Sequence, residues 1–384
     1  MNILIEGWRG INHSFSIVNQ WQILELIKSN NLFFKDVPFP SDKWSAKKNF
    51  SGLEKNLTDI INKIPHPALN QRHEITYRIS FPFNFNNKFN SKLLFVFGNC
   101  EYKILNEQKY INNEPTNLKD NQNFYIHTPS NWSKIGFLKA GFKEDQVIVV
   151  PHGVDLNTFK LISDEEKKLL REKYKLKEED FVLTNIGAMT QNKGVEALVA
   201  AYGILKKKHK RLKLILKDQS NLYNITANDR IKKLFNSEFD KKFKIINDEM
   251  LKDIIIISEN LNFEEIRNIY SITDCYVSPY MAEGFNMTPL EAAACGTQVV
   301  VTKGGSTDDY FEECMGYQIE SSEKKVGNDT LLNPKMDSLI DILTNIINKT
   351  DEMKLKRSNF VRKNFSWENI TNQLKKEFEN KLSK

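Results

Sequence analysis

Two α/β domains, each built on a parallel β-sheet, are predicted by three features of the chain. Through residues 181–302, short and almost wholly apolar runs alternate with helix-periodic stretches. That is the pattern of strands covered on both faces by crossover helices. Polar residues and glycines gather where those runs end. The length, 384 residues, suffices for two ordinary cores.

In the first half, NILIE (2–6) predicts a strand and SFSIVNQWQILELIK (14–28) an amphipathic helix. KLLFVFG (92–98), NFYIHT (123–128) and VIVVPHG (147–153) predict three more strands. Residues 30–90, rich in Asn, Phe and Pro, give no clear periodicity, and 106–123 reads as an exposed loop. The segment 152–180 reads as the join between domains.

The second half is regular. FVLTNIG (181–187), LKLILKD (212–218), DIIIIS (253–258), CYVSPY (275–280) and TQVVVT (297–302) predict strands. Between them, GVEALVAAYGILKKK (194–208) predicts a helix with Leu198, Val199, Tyr202 and Leu205 on one face, and 229–239 a shorter helix. NFEEIRNIYSI predicts a helix opened by Asn262 with Glu265 three residues on, and TPLEAAAC (288–295) a short one. The chain closes on an amphipathic helix, 366–382, capped by Ser366.

Composition excludes several classes. No apolar run approaches the roughly 20 residues that span a bilayer. MNILIEGW carries an acid and lacks a basic segment followed by an apolar one, so no signal peptide is expected. Cys100, Cys275, Cys295 and Cys314 are scattered, which suggests reduced thiols and a cytoplasmic setting. The six histidines are scattered too, so no zinc site is expected. The net charge of +6 permits phosphate-bearing ligands without requiring them. The basic run KKKHKRLK (206–213) reads mostly as a solvated helix end.

Ligands of parallel α/β sheets bind beyond the carboxyl ends of the strands. Those ends supply Gly187 and Lys193, then Lys217 and Asp218, then Glu283, Gly284 and Asn286, then Gly304 and Gly305. A lysine with glycine-flanked amides suits a diphosphate. Glu283 and Glu291, with seven residues between them, could accept hydrogen bonds from sugar hydroxyls on either side of it. A plainer reading covers Glu291. Thr288 as N-cap, Pro289 at the first turn and Glu291 three residues on make a capping box, with Gly296 ending the helix.

EGFNMTPLE resembles the Glu-x7-Glu motif of the family-4 retaining glycosyltransferases, a group 1 family with the two-domain GT-B fold. HTPSNWSKIGFLKAGFKEDQVIVVPHGVD, IGAMTQNKG, RNIYSITDCYVSPYMAEGF and ACGTQVVVTKGG resemble its other blocks in the expected order, over most of residues 120–310. The resemblance implies two Rossmann-like domains facing a cleft. Residues 1–155 would form the acceptor-side domain, joined by a returning helix at 366–384, and 156–365 the nucleotide-sugar-binding domain. It implies that Glu283 contacts the donor sugar and Glu291 the ribose. Lys193 would neutralise the diphosphate with amides of Gly284, Phe285, Asn286, Met287 and Thr288, and the loop Gly7, Arg9, Gly10 would face the phosphates on domain closure.

Two positions depart from the family. Ala188 stands where an arginine is common, so Lys193 acts alone or Lys217 or Arg9 supplies the charge. The acceptor-side polar residue is not obvious: Glu101 is nearest in sequence, with His127 and His13 as rivals. No Asp-x-Asp occurs, so neither a metal nor a bound cofactor is expected. The expected chemistry is transfer of a sugar from a nucleotide-diphosphate donor to a hydroxyl of a glycan, lipid-linked or protein acceptor, with anomeric retention. A sugar-nucleotide epimerase and a degenerate binding subunit are the alternatives. Donor, acceptor and oligomeric state are not legible, no nucleic acid is implied, and association with the inner face of a membrane stays open.

Overall fold

The computed structural model describes residues 1–40, 44–45, 50–86, 88–105, 110–111, 118–235 and 248–384. The loop expected at 106–123 and the helix expected at 229–239 fall partly outside them; the helix is described over Ala227–Phe235. The chain divides into two compact units. One comprises Met1–Gly153, Gly327–Asp329 and Phe365–Lys384, the other Val154–Val326 and Thr330–Asn364.

The first unit holds a six-stranded parallel sheet in the order Asn31–Asp36, Asn2–Gly7, His73–Ile79, Ser91–Phe97, Phe124–Thr128, Val147–Val149. Chain order reverses between Asn2–Gly7 and His73–Ile79, so the sheet has a topological switch point there. Two strands of this sheet and the helix Lys55–Asn62 lie in the stretch that gave no clear periodicity. The strand HEITYRI is central yet carries His73, Thr76 and Arg78, all buried. Arg78 is neutralised by Glu6 at 2.7 Å and donates to the carbonyls of Asn84 and Lys88.

The helix Ser14–Leu26 departs from the amphipathic expectation, because Ser16, Asn19, Gln20 and Gln22 are buried along with its apolar residues. Each finds a local role: Ser16 accepts from the Ile11 amide, Asn19 donates to the Trp8 carbonyl, Gln20 accepts from the Gly10 amide, and Gln22 accepts from the Tyr77 hydroxyl. The last helix, Trp367–Leu382, begins at a Ser366 side-chain cap as expected and buries Phe378 against Phe95 and Tyr77 of this same sheet.

The second unit is a parallel sheet in the order Ile254–Ile257, Leu212–Lys217, Phe181–Ile186, Cys275–Ser278, Gln298–Thr302, Gly316–Ile319. This doubly wound order has its switch point between Phe181–Ile186 and Cys275–Ser278. The helix Val195–Lys206 buries Leu198, Val199, Tyr202 and Leu205 as predicted. The helix Phe263–Ile272 has the Asn262/Glu265 capping box. One reading of the basic run is corrected: Lys206 is buried, donates to the Leu212 carbonyl at 2.8 Å and pairs with Asp253. A hairpin, Ser321–Val326 with Asp329–Pro334, follows the last sheet strand. Among the described residues, no helix is long and apolar enough to cross a membrane.

Candidate functional site

Two loops leave the carboxyl ends of the strands that flank the second unit's switch point. After Phe181–Ile186 comes the turn Gln191–Lys193, closed by Gly194 at φ 67°. After Cys275–Ser278 comes the loop that holds Glu283. Asn192 ties the two together: its carbonyl accepts from the Met281 amide at 2.7 Å, and its side chain donates to the Ala282 carbonyl at 2.9 Å. This lacing brings the Lys193 ammonium onto the Glu283 carboxylate in a close ion pair. Glu283 is buried and Lys193 partly exposed. The pair spans the place where ligands of such sheets bind.

Beyond Glu283, the loop is fixed by side chains. Asn286 has left-handed backbone, φ 68°. Its side-chain amide donates to Ser278 at 2.9 Å, its side-chain oxygen accepts from Thr288, and its backbone carbonyl accepts from Tyr310 at 2.7 Å. Phe285 packs against the Tyr310 ring, with centroids 5.1 Å apart. Among the described residues, the backbone amides of Asn286, Met287 and Thr288 meet no protein acceptor.

The capping box expected at Thr288 does not form. The helix Thr288–Ala294 starts after Met287 with no side-chain cap. The Thr288 hydroxyl accepts from Tyr276 at 2.7 Å and donates to Asn286 at 3.1 Å, so it is occupied on both sides. Glu291 turns toward Tyr270, whose hydroxyl donates to it at 3.0 Å. Burial pushes the Glu291 carboxyl up to about 7, against the Tyr270 hydrogen bond and with Asp155 adding repulsion. A helix-capping role therefore does not explain this glutamate. The end of the helix is as expected, with Gly296 at φ 79°.

Lys217 and Gly187 are brought together differently. The Gly187 amide donates to the Lys217 carbonyl at 3.0 Å, and Gly187 itself has φ 153°. The Lys217 ammonium is buried and folded back onto the Asp218 carbonyl. Burial lowers its pKa, opposed by Asp218 and Glu259. Ala188 is buried. A guanidinium does reach this loop, from a residue the sequence reading missed. Arg230 donates to the Met189 carbonyl, and its other arm is spent on Glu196 at 3.1 Å. Tyr270, Tyr276, Tyr310 and Asn192 were missed too. Each sits far along the chain from the glutamate or loop it fixes, so no local spacing flagged it.

Gly7 has no room for a side chain, since a β-carbon there would be 2.6 Å from the Ile79 carbonyl oxygen. Gly10 has φ 72°. The Arg9 guanidinium is engaged by Asp36 at 3.0 and 3.2 Å and by the Ile61 carbonyl, and lies over Phe34. Glu101 is partly exposed, and its carbonyl accepts from the Trp132 indole at 2.7 Å. His127 is fully buried. Its Nε2 donates to the Val150 carbonyl at 2.9 Å, and its Nδ1 lies 2.8 Å from the Tyr77 hydroxyl. Burial lowers its pKa to about 4, with the Val150 bond opposing. In this arrangement it is a neutral strut of the sheet.

Taken with the switch-point loops, the two parallel six-stranded sheets and their helices are the GT-B architecture expected from the motifs. HepE of Anabaena, solved in complex with UDP-glucose, is similar in structure, with a TM-score of 0.66 and 15% identity, covering 99% of this chain and 100% of that one. WaaG, described as a glycosyltransferase involved in lipopolysaccharide biosynthesis, matches with a TM-score of 0.63 and 11% identity over 97% of this chain and 98% of its own.

Residues 166–331 match the model of the family described as glycosyl transferases group 1. A lipopolysaccharide 1,2-N-acetylglucosaminetransferase of Salmonella typhimurium is 24% identical over 68% of this chain and 66% of its own length. A D-inositol 3-phosphate glycosyltransferase of Pseudarthrobacter chlorophenolicus is 27% identical over 43% of this chain and 36% of its own. The chain thus spans less than two thirds of the length of these relatives.

Proposed function

We propose that the protein is a glycosyltransferase that moves a sugar from a nucleoside-diphosphate sugar to a hydroxyl acceptor with retention at the anomeric carbon. The observation that carries this reading is the Lys193–Glu283 pair laced across the second unit's switch point, beside amides that meet no protein acceptor among the described residues. Lys193 and those amides would take the diphosphate. Glu283 would turn from lysine to donor-sugar hydroxyls, and Glu291 would accept from the ribose. In the reaction the acceptor oxygen bonds to the anomeric carbon as the bond to the diphosphate breaks. The acceptor proton passes to the departing diphosphate oxygen on the same face of the sugar. Positive charge and oriented donors around that oxygen lower the barrier because its charge grows in the transition state. Metal is not part of this proposal, and neither is a bound cofactor.

The donor base and sugar are open, so the test begins with binding. A thermal-shift screen against UDP-, GDP-, ADP- and dTDP-sugars identifies the donor, since a ligand raises stability by RT ln(1 + [L]/Kd). Incubation of that donor with acceptor glycosides, read by NMR, then gives the linkage. An inverted anomeric centre overturns retention. Donor consumed without an acceptor points to rearrangement, and no donor binding at all overturns the enzyme reading.

A further inference from the structure

The second unit has another recess, at the opposite end of its sheet from the two switch-point loops. A cavity of about 240 Å³ opens where three of its strands begin, lined there by Phe181, Asp274 and Gln298. That volume suits a small molecule and not a drug-sized one.

The charge around it is uneven. Lys167, Lys349 and Lys354 line the cavity together with two carboxylates, Asp274 and Asp351. Both carboxylates are already matched. Asp351 is held by the two arms of Arg357, each at 2.9 Å. Asp274 takes Arg171 at 2.8 Å, the Val182 amide at 2.9 Å and Lys167 at 3.4 Å. Lys354 meets Asp164 only at 3.9 Å, and among the described residues Lys349 forms no ion pair. The lysines are therefore in surplus.

Helix ends do not absorb that surplus. Lysines near helix C-termini commonly serve the last carbonyls. Here other donors take them: Ser358 bonds the Ala294 carbonyl at 2.7 Å, Arg357 the Gly296 carbonyl at 2.6 Å, and Thr297 the Tyr270 carbonyl at 2.7 Å. Lys354 is instead the first residue of the helix Lys354–Asn364, whose first turn carries no acid. Its charge adds to the positive end of that helix and offsets nothing.

The cavity also touches the element that carries the second glutamate of the donor site. Cys295 lines it, and the Cys295 amide donates to the Glu291 carbonyl at 3.2 Å, one helical turn away. Thr297 lines it too and bonds Tyr270, whose hydroxyl holds the Glu291 carboxylate. A charge in the cavity thus lies within two helical turns of Glu291, about 10 Å.

We infer that this cavity binds a small phosphate-bearing anion, and that the bound charge weakens donor binding by opposing ionised Glu291 and the donor's own phosphates. Lys167, Lys349 and Lys354 would surround the phosphate. The phosphate site stands without the transferase reading, and only its link to the donor rests on that reading. Inorganic phosphate and phosphate esters offer the same group, so both are tested.

Calorimetry on the full chain in a phosphate-free buffer uses inorganic phosphate, glucose 6-phosphate and glycerol 3-phosphate, with glucose and glycerol as uncharged controls. At least one phosphate should bind and neither control should. The preferred phosphate tells a free ion from an ester. The double variant Lys349→Ala, Lys354→Ala should weaken that binding on the order of tenfold, and arginine at both positions should restore most of it. Melting temperature, and affinity for whichever of UDP, GDP, ADP or dTDP binds, should match the wild type when phosphate is absent. Saturating phosphate should weaken that nucleotide about threefold and no further in the wild type, and the nucleotide should weaken phosphate by the same factor. The double alanine variant should lose this effect. The inference is overturned if no phosphate binds, or if the alanine variant binds phosphate as the wild type does. It is overturned too if the nucleotide displaces phosphate without limit, which would place both in one site, or if nucleotide affinity ignores phosphate. Failure of all four nucleotides to bind would instead count against the transferase reading, and the phosphate site would then stand or fall on the variant comparison.

Discussion

The Tyr270 hydroxyl donates to the Glu291 carboxylate at 3.0 Å, across two helices of the second unit. This bond, and not a helix cap, is what positions the second glutamate of the Glu-x7-Glu pair. It also leaves a carboxyl in a place that resists its charge.

That resistance has a pH signature. Burial raises the Glu291 carboxyl from 4.5 to about 7. Between those values the folded state holds more protons than the unfolded state, so this group's contribution to stability falls as pH rises through the window. Across the whole window the loss is about 3 kcal/mol, and it is complete above the folded value. Glu291→Gln still accepts from Tyr270 but cannot ionise. Denaturant midpoints of variant and wild type should nearly coincide at pH 5, with the variant the more stable at pH 8. Parallel profiles would show that the carboxyl titrates as an exposed one does.

The same group should make nucleotide binding pH-dependent. Ribose hydroxyls donating to Glu291 favour its ionised form, so binding draws its pKa down and releases a proton. Wild-type affinity for the donor nucleotide should rise between pH 5 and pH 8, while Glu291→Gln binds weakly with a flatter profile. Calorimetry in two buffers of different ionisation enthalpy reads the released proton directly. No proton release in the wild type would remove Glu291 from the ribose.

Lys193 and Glu283 should respond unequally to removal. Glu283 is 5% exposed, so Lys193→Met leaves a carboxylate in a buried place without its neighbouring cation. Lys193 can relax toward solvent when Glu283→Gln removes the charge from the other side. The lysine variant should lose about 2–3 kcal/mol of stability and the glutamine variant clearly less. The double variant should recover part of the loss. Equal and additive losses in urea titrations would mean that the pair is not coupled.

The second unit was readable because its chemistry is concentrated. Strands such as Gln298–Thr302 and Cys275–Ser278 are buried on both faces and carry mainly apolar residues, so they stood out as short apolar runs. Glu283, Lys193 and Asn286 stood out because they follow such runs directly. The first unit hid a central strand behind Thr76 and Arg78, whose polarity is offset by Glu6 and by carbonyls from distant segments. The helix Ser14–Leu26 hid its burial behind Asn19, Gln20 and Gln22 in the same way. What a spacing rule cannot see is a partner chosen in three dimensions. Tyr270 is 21 residues from Glu291, and His127 is 50 from Tyr77. Those separations explain why the cap reading of Glu291 and the catalytic reading of His127 were natural from sequence.

The closeness of the two switch-point loops rests on one glycine. Gly194 has φ 67°, and a β-carbon there would fall 2.0 Å from the Pro279 carbonyl oxygen, which belongs to the backbone and cannot swing aside. Gly194→Ala therefore has to push the Lys193 turn off the segment leading to Glu283. Left-handed strain and overpacking together should cost about 2–4 kcal/mol. Gly187→Ala is the matched control. Its backbone is also at positive φ, but a β-carbon there meets nothing within 4 Å. Denaturation of both variants, alongside donor-nucleotide titrations, separates strain from displacement. Gly194→Ala should lose more stability than Gly187→Ala. It should also lose nucleotide affinity even where it remains folded, because Lys193 and Glu283 no longer share one side of the switch point. Wild-type affinity in a folded Gly194→Ala protein would show that the diphosphate does not depend on that lysine.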